Sequence, residues 1–483
     1  MLIKKSNLYL LAFPIALMGA VDMLFAGIAR GYGDEQVLAF FEPGLAYLII
    51  ASFFLLAGKG FDPSKIRYRD TLFFAVITWV LMGLLGAVPV AFVTHVSVTD
   101  AVFESISGLT TTGATILTGL DLMPASFLLY RQFLQWLGGL GIVIFVVAIL
   151  PMLNVGGMKL LRAETPGPMK DEKLSPRIAH TAHYLWIVYV LLTIICALSY
   201  YLAGMTAFDA IAHSLTTIST GGFSTHDASM GYFDSFLVLL VADIFMILGA
   251  ISFALHFKVW SRFHPAAYLR DEETRVFIII IAVFSIIISI SLINAYPEMG
   301  TLSAVSNAVF HLISFITSTG YGASGFTEWP VALTLLLVIA AYFGGCAGST
   351  AGGNKIIRNI ITGKLIGREI RRLIHPSGVF HIKMNNRSMS NDIIGATLAF
   401  MFISALTTVV FTILLMFTGL DFWSSLTAVA ACINVLGPAF GELGSNFQPV
   451  SDAGTWMLSF AMILGRLEYF TLLALVLPAF WRR

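Results

Sequence analysis

Four short stretches of the chain end in the same way. Asp100–Gly113 reads DAVFESISGLTTTG, Asp209–Gly222 DAIAHSLTTISTGG, Asn307–Gly320 NAVFHLISFITSTG and Ser424–Gly437 SSLTAVAACINVLG, and the four align without a gap. The first three carry a polar residue at one shared position (Glu104, His213, His311) and close on a Thr/Ser cluster and a glycine. The residues before the four glycines are Thr111 and Thr112, Thr220 and Gly221, Ser318 and Thr319, Val435 and Leu436. What such strands offer is main-chain oxygen. Glycine permits the backbone angles with which a chain leaves a helix and turns its carbonyls one way. Four such strands around one axis would form rings of carbonyls able to replace a cation's hydration shell. Taken singly, each stretch is a Gly/Thr-rich turn; four of equal length at matched positions point to a pore. The chain has ten histidines but no H-x-x-x-H cluster, and no nucleophile–base pair stands out, so enzymatic chemistry has no support.

The elements that position these strands follow from hydropathy. Of 483 residues, 58% are hydrophobic and 11% charged, against about 25% charged in a soluble domain, so the chain is built for lipid. A bilayer core asks for about 20 apolar residues per helix. Spans are expected near 8–29, 37–57, 71–94, 126–152, 182–203, 233–256, 274–295, 330–360, 392–418 and 452–480. The first run is too long for a signal peptide's apolar region and is read as a helix. The semi-polar segments near 99–112, 208–221, 305–319 and 422–436 are too short to cross and are expected to be re-entrant, which requires protein or a water-filled cavity around them. Each would descend as a half-helix, with Asp100 and Asp209 capping the first two, and turn its negative end toward the membrane centre, where it favours a cation. The glycines lie 109, 98 and 117 residues apart, room for one helix–dip–helix unit each. The fold class is therefore an all-α integral membrane protein, with four tandem helix–pore–helix repeats around a pseudo-fourfold pore behind two extra transmembrane helices. Residues 1–67 hold those two helices, and the repeats occupy 68–180, 181–272, 273–390 and 391–483. The longer loops, 153–181 and 361–391, are expected to carry short surface helices at most.

Threaded in this way, every Lys and Arg except Arg30, Arg131 and Arg466 falls on one side of the membrane, which places the termini in the cytoplasm. The basic segments suit lipid head groups. The net charge of +1 excludes a nucleic-acid partner by bulk electrostatics. Cys196, Cys346 and Cys432 sit in apolar or Gly-rich stretches without ligand spacing and read as packing residues. Residues 344–353 hold five glycines (Gly344, Gly345, Gly348, Gly352, Gly353) along with Ser349, and each glycine costs a helix about 1 kcal/mol against alanine. Unwound backbone at that depth belongs beside a cavity; small-residue helix packing is the other reading. Arg466 stands inside the last span, either facing a water-filled path or paired with Asp243.

The chain resembles the Trk, Ktr and HKT potassium-transporter superfamily, in particular its bacterial TrkH/TrkG type. The likeness runs from about Tyr68 onward and is dense in FESISGLTTTGAT, LGGLGIVIFVVAILP, RAETPGPMKDEKLSPRIA, FDAIAHSLTTISTGGFSTHDAS, FGGCAGSTAGGNKIIR and GRLEYFTLLALVLPAFWR. The resemblance implies that Gly113, Gly222, Gly320 and Gly437 are the filter glycines and that the residues before them supply the carbonyls for K⁺. It also implies that the glycine-rich loop is a gate below the filter, with Arg466 in the path. It further implies no cofactor, a homodimer in the bacterial inner membrane, and regulation by a cytosolic nucleotide-binding RCK subunit (TrkA-like). The chain departs from the family at Val435, where an Asn is common, and at Ala351 and Asn354. A secondary carrier coupling K⁺ to H⁺ or Na⁺ is the alternative, although four repeats in one direction, without inverted halves, suit a channel.

Overall fold

The computed structural model describes residues 5–61, 68–139, 141 and 178–481. Helices Lys5–Tyr32 and Val37–Ala57 form an antiparallel hairpin. Four repeats follow, each with an outer helix, a short pore helix and an inner helix. The outer helices are Tyr68–Thr94, Ile178–Leu202, Glu272–Ala295 and Asn391–Met416. The pore helices are Val98–Leu109, Ala207–Ile218, Thr301–Ile316 and Phe422–Ile433. Six of the described helices are long and apolar enough to cross a membrane, or eight if two bent pairs each count as one span.

The inner helices depart from the expected straight spans. The first is helical over Ala125–Gly139; the rest of the expected 126–152 span and most of the 153–181 loop lie outside the described residues. The second breaks between Phe236–Ala250 and Phe253–Arg262 with a 98° bend, and the fourth between Asp452–Leu467 and Tyr469–Val476 with a 113° bend. The third ends at Phe343, and helix resumes at Ile356. Only that third break has a cluster of glycines to announce it; a single glycine precedes each of the others, Gly249 and Gly465. At the second, the carbonyl of Ala250 accepts from Cys346 N–H (2.8 Å) and that of Gly249 from Thr350 N–H (3.3 Å), so partners from another repeat replace the helical continuation. At the fourth, Glu468 adopts φ 62° and its carboxylate pairs with Arg358 at 2.5 Å.

The linker 361–391 is also more ordered than expected. Helix continues to Ile374, and a small hairpin pairs Lys383–Met384 with Arg387–Ser388 across Asn385 and Asn386, both at positive φ as a two-residue turn requires. Apolar packing falls into two large clusters and a small one of Leu72 and Ala75 against Phe480. One large cluster joins the N-terminal hairpin with the first and fourth repeats; the other joins the second and third, with Ala430, Leu436 and Phe440 of the fourth reaching into it.

Candidate ion pathway

Three of the four pore helices start on a polar side-chain cap. Ser97 and Thr206 accept from the N–H groups of Asp100 and Asp209, and Asp421 accepts from Ser424; Gly300, before the third, offers no side chain. The expectation that Asp100 and Asp209 themselves cap is corrected: hydroxyls hold the cap, and Asp209 instead binds Thr206 Oγ1 (2.7 Å) and Thr225 Oγ1 (2.8 Å).

The four C-termini are alike. The N–H groups of Thr112, Gly221, Thr319 and Leu436 reach five residues back, to Ser107, Thr216, Ser314 and Ala431, at 2.8–2.9 Å. The residues before them, Thr111, Thr220, Ser318 and Val435, have φ of 61°, 53°, 54° and 57°. This is the Schellman ending, in which glycine normally takes the left-handed position. Here three hydroxylated residues and a valine hold it, a backbone state a β-branched residue seldom adopts. Two residues on, Gly113, Gly222, Gly320 and Gly437 are again left-handed, at 81°, 79°, 80° and 100°.

The glycines close the ring. A Cβ on Gly113 would fall on the carbonyl oxygen of Gly221, one on Gly222 on that of Thr319, and one on Gly320 on that of Leu436. A Cβ on Gly437 would stand 2.7 Å from the carbonyl oxygen of Thr112. The carbonyl before each glycine thus abuts the glycine of the preceding repeat, cyclically through all four. Of the site residues expected from sequence, the four glycines and Thr112, Gly221, Thr319 and Leu436 meet in this one ring, and Thr111, Thr220, Ser318 and Val435 directly precede it in the chain.

Side chains that the sequence did not reveal brace it. Gln135 donates to the Gly221 carbonyl (2.6 Å) and accepts from Phe223 N–H (3.0 Å). A Cβ on Gly221 would run into that same amide, which explains a glycine where the other repeats have Thr112, Thr319 and Leu436. The shared polar position tethers the returning strand to its pore helix. Glu104 binds Thr115 Oγ1 and Ile116 N–H, His213 binds Ser224 Oγ (2.9 Å), and His311 accepts from Ala323 N–H (3.2 Å). The fourth repeat has Ala428 there, and the neighbouring Thr427 accepts from Phe440 N–H (3.0 Å) in its stead. Glu104 is also ion-paired with Arg131, both about fully buried (1% exposed), and the guanidinium lies over Phe223 of the second repeat. Removing one member of such a pair costs about 3–5 kcal/mol.

Beyond the ring, the returning segments 114–124, 223–235, 321–330 and 438–451 contain no Lys or Arg. They expose Asp121, Asp227, Asp234, Glu328 and Glu442, so this face is acidic. Two of these segments are joined: His226 Nδ1 meets Asp121 at 2.5 Å, and Asp227 accepts from Gly119 N–H and Leu120 N–H. The bond from His226 holds the Asp121 carboxyl below its usual value of 3.8. A depressed carboxyl stabilises the fold above its unfolded pKa, and that contribution fades as pH falls through the folded one. The Asp121 bridge is therefore expected to hold at neutral pH and fail in acid below 3.8, and Asp121→Asn to remove this acid-sensitive step. Hydrogen exchange against pH at Asp227, whose N–H donates to Asp121 Oδ2 (3.3 Å), measures it.

On the opposite side, residues 344–353 cross beneath the ring. Thr350 Oγ1 donates to the carbonyls of Ile218 (2.9 Å) and Gly249 (3.0 Å), Gly352 N–H to Ser318 Oγ (2.5 Å) and Gly353 N–H to the Asn434 carbonyl (3.1 Å). Arg466 donates to Thr111 Oγ1 and the Thr350 carbonyl, each at 3.2 Å, to the Gly139 carbonyl (2.9 Å) and to that of Gly138. Asp243, the alternative partner for Arg466, is half-buried, and its buried Oδ1 lacks a hydrogen-bond partner among the described residues. Gly344 and Gly353 face each other at positive φ, and a Cβ on either would strike the other strand of the loop. Gly345 lies against Ala351 and the Ala250 carbonyl, Gly348 accepts from Phe253 N–H (3.0 Å), and Ser349 Oγ returns to the Cys346 carbonyl (2.6 Å). Lys355 and Arg358, expected among the surface charges, are buried at 3% and 4% exposure; Lys355 donates to the Ala351 carbonyl.

One carboxylate fastens the loop. Glu273 Oε1 accepts from Ala347 N–H (2.7 Å) and Ile357 N–H (3.1 Å), joining the loop to the helix that follows it. Glu273→Ala leaves two buried N–H groups unpaired, at about 1–3 kcal/mol each. It is expected to loosen the loop, whereas Glu273→Gln keeps an acceptor oxygen. Protease or thiol-reagent accessibility of 344–353 in the two variants is the check.

The sequence profile described as "TrkH: Cation transport protein" matches residues 41–482, so the likeness reaches into the N-terminal hairpin, further than the motifs alone carried it. The chain is 43% identical over 458 residues to the Trk system potassium uptake protein TrkH of Vibrio parahaemolyticus, covering 92% of this chain and 94% of that one. It is 42% identical over 479 residues to the Escherichia coli K12 protein of the same name (96% and 98% covered). The E. coli Trk system potassium uptake protein TrkG shares 38% over 464 residues, 94% of each. The crystal structure of the potassium transporter TrkH from V. parahaemolyticus superposes with a TM-score of 0.89 at 39% identity, covering 99% of both chains. These relatives are transport proteins rather than enzymes. By its fold, its four-repeat ring and these likenesses, the chain belongs to the TrkH cation transport protein family.

Proposed function

We propose that the protein takes up K⁺ through the axis enclosed by residues 111–113, 220–222, 318–320 and 435–437. The observation that carries this reading is the cyclic contact of each glycine with the next repeat's carbonyl, since a closed ring of main-chain oxygens suits a desolvated monovalent cation. Near relatives named as potassium uptake proteins supply the ion. The repeats divide at about residues 67, 180, 272 and 390. The bacterial inner membrane, cytoplasmic termini and a homodimer complete the assignment.

The loop 344–353 with Arg466 forms the gate. Its donors lie against the inner ends of the pore helices, where the helix dipoles favour a cation. The relatives belong to a Trk system, and a cytosolic nucleotide-binding subunit of the RCK type, TrkA-like, would control the loop. The exposed Arg371 and Arg372 at the end of Ile356–Ile374 give it a docking point.

Coupled transport with H⁺ or Na⁺ draws on one observation: the carboxyl oxygens of Asp22 and Oδ1 of Asp243 are buried without hydrogen-bond partners among the described residues. Proteoliposomes with independent K⁺, Na⁺ and pH gradients separate the readings. A channel's reversal potential follows K⁺ alone; a reversal potential that moves with pH or Na⁺ overturns it. Deleting several residues of 344–353 is expected to leave an inserted protein that conducts with little gating, and tight closure after the deletion would place the gate elsewhere.

A further inference from the structure

The closed loop and Arg466 together cap one oxygen from each of the four repeats. Thr111 Oγ1 of the first accepts from Arg466 Nη1, and the Ile218 carbonyl of the second from Thr350 Oγ1. Ser318 Oγ of the third accepts from Gly352 N–H, and the Asn434 carbonyl of the fourth from Gly353 N–H. The choice of atom follows the side chains. The first and third repeats have hydroxyls facing the loop. In the second, Thr220 Oγ1 is turned onto the Ser219 carbonyl (2.7 Å), and in the fourth Val435 has no hydroxyl. In both of those repeats a main-chain carbonyl at the end of the pore helix takes the role.

We infer that these four oxygens form an inner cation site, and that the gate closes by placing its own donors there, so that K⁺ and the closed loop are competitors. The inference rests on the gate reading above. The guanidinium of Arg466 supplies positive charge at this site, and the loop supplies two N–H groups and a hydroxyl proton. All four acceptors are neutral. A divalent ion is held by carboxylates in numbers, whereas neutral oxygens at the negative ends of helices suit a monovalent ion. A ligand shifts an equilibrium by its differential affinity for the two states. K⁺ can hold these oxygens only when the loop has left them, so K⁺ itself promotes opening.

Native Cys346, 1% exposed within the loop, reports loop departure. Full-length protein carrying Cys196→Ser and Cys432→Ser is reconstituted in liposomes, and its modification by a small methanethiosulfonate is timed as K⁺ replaces N-methylglucamine at constant ionic strength. The rate is expected to rise about tenfold as K⁺ passes from a tenth of its half-effect concentration to ten times that value, and Mg²⁺ is expected to produce no such rise. Ser318→Ala should raise the K⁺-free rate and shrink the K⁺ dependence; Ser318→Thr should retain both. Ala347→Cys with Cys346→Ser gives a second reporter should the first background fold poorly. A rate indifferent to K⁺, in a protein whose loop deletion still opens flux, overturns the competition and leaves the gate standing. A loop deletion without effect on flux overturns the gate, and this inference with it.

Discussion

Gly222→Ala is expected to cut K⁺ flux at least about tenfold and to erode its preference over Na⁺, while the protein still inserts. The new Cβ meets two penalties. Left-handed backbone at φ 79° costs a residue with a Cβ about 1–2 kcal/mol. Its contact is the Thr319 carbonyl, with Gly320 C at 3.3 Å, and overpacking of this kind costs about 1–3 kcal/mol. A flexible side chain could swing aside; a main-chain oxygen in the ring cannot, so relief comes from widening the filter. About 1.4 kcal/mol in a barrier is tenfold in rate, which either penalty can reach. Gly320→Ser is expected to behave likewise. Gly437→Ala, whose nearest carbonyl is 2.7 Å away, should be the mildest of the four. Radiotracer uptake with K⁺ and Na⁺ in parallel is the measurement; unchanged uptake and selectivity in Gly222→Ala would remove that repeat from the filter.

Arg466→Ala carries the other large effect. A fixed guanidinium about 4 Å from a passing cation raises its barrier by about 1 kcal/mol in water and about 4 at an effective dielectric of 20. At about 1.4 kcal/mol per decade, neutralisation is expected to accelerate K⁺ flux from several-fold to several-hundred-fold. The substitution also frees Thr111 Oγ1 and the Thr350 carbonyl, releasing one anchor of the loop. The hydrogen bonds of Arg466 run to Thr111, Thr350, Gly138 and Gly139, and Asp243 Oδ1 has no hydrogen-bond partner among the described residues, so Asp243→Asn is expected to rescue neither yield nor flux of Arg466→Ala. Flux and folded yield are measured together. A well-folded Arg466→Ala with unchanged flux would end the electrostatic-barrier argument, and a yield restored by Asp243→Asn would reinstate the pair.

The ring was legible because its requirement is local: a glycine closing a segment of one length four times, after a hydroxyl cluster in the first three. The break at 344–353 was legible for the same reason, since glycine weakens helix wherever it stands. The bends at Ile251 and Glu468 were not. Only a single glycine precedes each, Gly249 and Gly465, which a helix tolerates, and the competing partners, Cys346 and Thr350 for one and Arg358 for the other, come from another repeat. Glu273 looked like an ordinary acidic residue in a first helical turn, where an acid favours the positive end; that it reaches Ala347 is a tertiary fact. Lys355 and Arg358 looked like topology charges because a charge count takes no account of burial. The Glu104–Arg131 pair joins two helices whose facing register hydropathy does not fix. The left-handed Val435 ran against propensity, and the Schellman hydrogen bonds of its pore helix account for it.

The joining of the four repeats in one chain has a consequence for how the ring can change. In a channel assembled from four identical subunits, one codon alters four positions at once, so a filter substitution is a fourfold event. Here a codon alters a single quadrant. Val435 stands where the other quadrants carry a hydroxyl, and Gly221 where the others carry a side chain, and each change was accommodated by a nearby carbonyl or by Gln135. Ion preference in such a chain can be adjusted one quadrant at a time, with each step small enough to keep the pore working.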